Sequence, residues 1–169
     1  MRGRNEERGY NAPMTNVPTV GPLPRSSLLA GALLSASVAL LHVGVIVGGP
    51  SAYAYFGAPE LGELEAKGSL LPDGITAGIV LVFCVWSYYA LAGTRVVSKE
   101  PPFLLKGLFA IGAIYSIRGL SVFVESVLLM LGKATFPPRY LVFSTGSLII
   151  GVCYLIGAFA LRRGGREDG

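Results

Sequence analysis

Apolar positions gather into four long blocks along the chain, at 26–48, 75–92, 103–131 and 140–161, with polar connections between them. A helix needs about 20 apolar residues to cross roughly 30 Å of hydrocarbon, and each block approaches or exceeds that length. None shows the period-two alternation of an outer-membrane strand. With no water to satisfy the backbone at that depth, each must therefore be a helix. The pattern predicts an all-α fold: an integral membrane four-helix bundle, a single domain over 26–161, with a short external helix or loop between spans 1 and 2.

Composition points the same way. Of 169 residues, 52% are hydrophobic and 14% charged, and the mean hydropathy is +0.60, more apolar surface than a soluble core of this size hides. The stretch "SAYA" ahead of Tyr55 offers an A-x-A-like cleavage site. The apolar block before it is longer than the usual 7 to 15 residues of a signal peptide, and a polar leader precedes it, so the first block is read as a retained span.

Residues 1–25 carry Pro13, Pro18, Pro22 and Pro24 among mixed charges, a composition expected to form a disordered tail. Residues 162–169 read as a second short tail whose arginines suit an anionic leaflet. Basic residues are unevenly divided. Arg2, Arg4, Arg8, Arg25, Arg95, Lys99, Lys106, Arg162, Arg163 and Arg166 share one side, against Lys67, Lys133 and Arg139 on the other. Lysine and arginine in short loops stay cytoplasmic, so both termini are expected in the cytoplasm. The net charge of +4 thus reflects topology. Nucleic acid is not an expected partner, since no basic patch is interleaved with stacking aromatics; the expected partners are the lipid bilayer and a further copy or another membrane protein.

The connection between the first two blocks is the only external one long enough to hold structure. Gly48, Gly49 and Pro50 are expected to end the first span, and Tyr53, Tyr55 and Phe56 suit the headgroup zone. After Pro59, "ELGELEAKG" predicts a short helix with Glu60, Glu63 and Glu65 near its start, where the helix dipole favours carboxylates. With Asp73 against Lys67, this outward surface is acidic and suits a cation or basic partner.

The third block holds Arg118 and Glu125, seven residues apart. Two helical turns place them on one face with Tyr115 and Ser121. At about 1.5 Å per residue, Arg118 falls near the bilayer centre and Glu125 roughly 10 Å further out. The same conversion brings His42 of the first span and Ser144, Thr145 and Ser147 of the fourth to the outer half. A charge facing lipid costs at least about 2.5 kcal/mol, so this face is expected to look into the bundle. A hydroxyl, His42 or a water is the expected link between the charges.

Three roles fit such a polar level: structural glue between helices, an ion or proton pathway or polar substrate site, and a contact face for another subunit. The leading functional expectation is an accessory or structural subunit packing against a membrane partner. The alternative is a small transporter or ion- or proton-coupling protein using His42, Arg118 and Glu125. An enzyme acting on lipid ranks third, since no Ser-His-Asp or paired-carboxylate arrangement is visible. No cofactor or metal is expected: one histidine cannot supply a bis-histidine haem site, and Cys84 and Cys153 follow neither a metal nor a disulfide pattern. Small residues four apart, in Gly31/Ser35/Ala39, Gly112/Ser116 and Ser147/Gly151, predict close helix packing. Trp86, Tyr88 and Tyr89 are expected in an aromatic belt.

The run "GGPSAYAYFGAPE" together with "IYSIRGL" resembles a pattern in small bacterial inner-membrane proteins with four predicted spans. The resemblance implies a bacterial inner-membrane four-helix protein and carries no activity or catalytic residue with it.

Overall fold

The computed structural model describes residues 22–167, which are helical over most of their length. The long elements are α1 (Pro22–Phe56), α3 (Leu71–Gly93), α4 (Leu104–Met130) and α5 (Arg139–Glu167); α2 (Pro59–Ala66) lies between α1 and α3. Each long helix contains a stretch apolar enough to cross a membrane, and only 22–33% of those stretches is buried within the chain. Apolar side chains such as Leu40, Val47, Ile117 and Val142 face outward, which a chain tolerates where lipid is the solvent. The chain is a four-helix bundle built as a multi-pass membrane protein.

The boundaries follow local chemistry. Gly49 adopts φ 65°, ψ −152° and breaks α1, a left-handed backbone open chiefly to glycine. Pro50 follows without an N–H, and the helix then resumes to Phe56, so the span expected to stop at Gly48 continues as a kinked extension. Pro72 sits in the first turn of α3, where its missing N–H costs nothing. α5 runs through Arg162 and Arg163 to Glu167, so most of the expected C-terminal tail is helix. Of the expected N-terminal tail, residues 1–21 lie outside the described residues, and 22–25 open α1.

Packing is closest within two pairs, α1 with α3 and α4 with α5; α1 meets α5 and α3 meets α4 to join them, while the backbones of α1 and α4 stand apart. The four spans therefore form a ring in the order α1, α3, α4, α5. The α4–α5 crossing is made by small residues. A Cβ on Gly151 would lie 2.7 Å from Ser116 N and 3.0 Å from Gly112 O, and one on Gly119 would run into the Leu148 backbone. On α1, Gly31 leaves room for the Tyr154 ring, with Ser35 and Ala39 buried in succession. Leu28 is wedged between Gly93 and Gly157.

Trp86 departs from the expected aromatic belt. It is half-buried, edge-on to Tyr115 at 5.0 Å and to Phe83 at 5.3 Å. The physical reason is the sparse meeting of α3 with α4: large rings fill the space between two backbones that do not approach closely. Tyr88 and Tyr89 instead turn to the connection between α3 and α4, donating to the carbonyls of Lys99 (2.6 Å) and Pro102 (3.0 Å).

Candidate functional site

Arg118 stands at the middle of α4, 14 residues past Leu104 (118 − 104) and 12 before Met130 (130 − 118), or about 21 and 18 Å along the axis. Its Nη1 donates to Ser121 Oγ at 2.9 Å and, across the helix pair, to Ser144 Oγ of α5 at 3.0 Å. Both hydroxyls reach Glu125 Oε1, from Ser121 at 3.0 Å and from Ser144 at 2.9 Å. The two charges are joined through serines and do not touch. Ser144 is fully buried, whereas Ser121 and Glu125 are half-buried and Arg118 is exposed. Glu125 Oε2 is shut away from solvent with no hydrogen-bond partner, and Arg118 Nε and Nη2 make no bond to the described residues. The result is a polar seam along the α4–α5 pair, in which two serines bridge Arg118 to Glu125 Oε1 while Glu125 Oε2 and the outer side of the guanidinium stay unbonded.

A second cluster occupies the core. The Tyr154 hydroxyl donates to the Trp86 carbonyl at 2.8 Å, which uses its only proton. Ser35, 3.0 Å away, must therefore donate to Tyr154, and Tyr115, 3.2 Å from Ser35, must donate to Ser35. One directed chain, Tyr115 to Ser35 to Tyr154 to Trp86, thus ties α4, α1, α5 and α3 together. Tyr115 consequently belongs to the core and not to the Arg118 seam.

The remaining residues of the expected polar level are dispersed. His42 Nδ1 lies 2.8 Å from the Val38 carbonyl, so it carries the proton and donates, and the ring rests 5.2 Å from Phe83; it makes no contact with the seam. Ser147 donates to Phe143 O in its own helix, and Thr145 is exposed. Shared depth brought these residues to one level, but their helix faces separate them.

At the end bearing α2, Tyr53 is buried and its hydroxyl lies 2.9 Å from Thr76 Oγ1 and 3.2 Å from Asp73 Oδ1. Tyr53 and Asp73 are thus packing partners. Tyr55 is exposed on one side and covered by Arg139 on the other: the guanidinium lies 4.3 Å from the ring centroid and Nε donates to Tyr55 O at 2.9 Å. Phe56 packs 5.7 Å from Phe143, while Glu60 is exposed. α2 lies tightly on the kink of α1, since a Cβ on Gly62 would meet Pro50 O at 2.5 Å. Glu65 Oε2 is buried there without a partner, and burial, then the charge of Asp73, raises its carboxyl above the usual carboxylate range.

Sequence reasoning missed the directed chain through Ser35 and Tyr154. A mid-span tyrosine whose hydroxyl needs a partner was the available signal, but nothing along the chain says which helix supplies it. Among the described residues no group of three His, Cys, Asp or Glu side chains is placed to hold a metal, and Cys84 and Cys153 are free thiols. The seam offers a cation with open donors and a carboxylate bonded through neutral hydroxyls, an arrangement suited to recognition more than to bond making. Comparison with family models, curated proteins and solved structures finds no match, so the resemblance to bacterial four-span proteins gains no support there.

Proposed function

We propose that this chain is an accessory or structural subunit of a membrane assembly, with the open side of the Arg118 seam packed against a partner. One observation carries the reading: a guanidinium exposed on the isolated chain at mid-span, with Nε and Nη2 unbonded. A charge in that position is costly against lipid and calls for cover. At mid-span it stands about half of the roughly 30 Å hydrocarbon layer away from either headgroup zone.

The transport reading fits less well. The seam and the core chain share no hydrogen bond among the described residues, and Phe83, Trp86 and Tyr115 fill the space between α3 and α4. A bacterial inner-membrane location with both termini in the cytoplasm is part of the proposal, supported by the uneven division of lysine and arginine. Extraction from native membranes in a mild detergent, followed by mass measurement of the intact particle, tests it. A stoichiometric complex is expected, and a lone monomer under those conditions overturns the reading. Flux through proteoliposomes of the purified chain that disappears in Glu125→Gln would favour transport instead.

A further inference from the structure

The open side of the seam has its own chemistry. Arg118 is flanked on the exposed surface of α4 by Ile114 and Ile117, which are 50% and 71% exposed. The surface is thus apolar with one positive charge at its edge. Inside the chain its hydrogen bonds go to two neutral hydroxyls, which are bonded in turn to Glu125 Oε1, and no direct bond joins the two charges among the described residues.

We propose that this surface binds a transmembrane helix of a different protein that carries a carboxylate at the depth of Arg118. The inference rests on the accessory-subunit reading and names the partner's chemistry. Nε and Nη2 form the side of a guanidinium fork whose geometry matches the two oxygens of a carboxylate. Ile114 and Ile117 supply apolar contact beside it.

A second copy of this chain does not meet the requirement. Copies inserted in the same orientation are related by an axis along the membrane normal, so Arg118 can meet only residues of its own depth in the other copy. Within the four long helices Glu125 is the only carboxylate away from a helix end. Glu125, seven residues away on the same helix, would sit about 10 Å from the other copy's arginine along the normal, with Oε1 held by its own serines and Oε2 shut away from solvent. A headgroup is excluded as occupant by depth. Charge complementarity therefore selects a heterologous helix bearing Asp or Glu.

The test uses the full chain in phosphatidylcholine vesicles with labelled leucine-based transmembrane peptides carrying one Glu or one Gln at the centre, association being read by energy transfer. The chain is expected to bind the Glu peptide about tenfold more tightly than the Gln peptide, the order of effect that a single close charge pair produces. Arg118→Lys should keep the preference, Arg118→Gln should erase it, and Arg118→Glu should shift it to a peptide with a central Lys. Arg118→Lys retains charge and helix, so it guards against a loss caused by misfolding. Equal binding of the Glu and Gln peptides, or a preference that survives Arg118→Gln, overturns the inference. Equal binding alongside a stoichiometric native complex overturns this inference alone. A lone monomer from native membranes removes the accessory reading and this inference with it.

Discussion

Ser121 Oγ and Ser144 Oγ lie 2.9 Å apart across the α4–α5 pair, and each is bonded both to Arg118 and to Glu125. Ser144 is the fully buried member. Ser144→Ala removes an acceptor from the guanidinium and a donor from the carboxylate in one step. In membranes such bonds average about 0.6 kcal/mol and reach about 1.7; with charged partners on both sides, a loss near the upper figure is expected. Unfolding of the reconstituted chain by denaturing detergent measures it, and an unchanged midpoint would remove Ser144 from the seam.

The α4–α5 crossing leaves no room for a methyl group at Gly151, where the nearest backbone atom is Ser116 N. Gly151→Ala is expected to force the helices apart and destabilise by about 1 to 3 kcal/mol, the range for overpacking a close contact. Gly146 has open space around its Cβ direction, and Gly146→Ala is the control. It should be neutral or slightly stabilising, because alanine is the better helix former. Equal effects of the two substitutions would argue against tight packing at Gly151.

Removing the Tyr154 hydroxyl breaks the core chain at its centre. Tyr154→Phe takes from the Trp86 carbonyl the donor it has beyond its own helix and leaves Ser35 without its acceptor, while the ring packing is retained; the expected cost is about 1 to 3 kcal/mol. Because Ser35 and Tyr154 act in one directed chain, adding Ser35→Ala should cost less than the sum of the single changes. A double-mutant cycle reads this directly, and strict additivity would contradict the chain.

The docking of α2 should depend on pH through Glu65. Burial, and secondarily Asp73, raises its carboxyl above the ordinary value of 4.5, so the folded state favours the protonated form. A group whose folded pKa is raised contributes stability at low pH that is lost as pH rises from the unfolded value through the folded one. Hydrogen exchange of the α2 amides, corrected for intrinsic rate, should therefore show stronger protection at mildly acidic than at neutral pH. Glu65→Gln should hold α2 in its protected state across that range; a pH dependence that survives this change would assign it to another group.

Much of the architecture is legible along the chain because hydrophobic block length is a one-dimensional property set by membrane thickness. The four long helices, the short helix after Pro59 and the shared face of Arg118 and Glu125 follow from length, period and the helical repeat. So does the role of Gly112, Ser116 and Gly151, since small residues four apart permit backbones to approach.

The membership of the polar site followed only in part. Depth along a span is readable from residue number, but the direction a helix face points is decided by its neighbours. His42 turned to Phe83 and its own backbone, Thr145 turned outward, and Tyr115 joined Ser35 in the core. Trp86 left the expected belt because two sparsely meeting helices needed rings between them.

The sequence by itself determined that the chain spans a membrane as a helical bundle and that one face of one span is charged. Only the tertiary structure decided that serines from two helices join those charges, that a separate hydroxyl chain ties all four spans, and that the arginine keeps an open side. The physical reason is that burial in lipid constrains each helix separately through its own backbone, whereas hydrogen bonds between side chains depend on rotation and register that only packing sets.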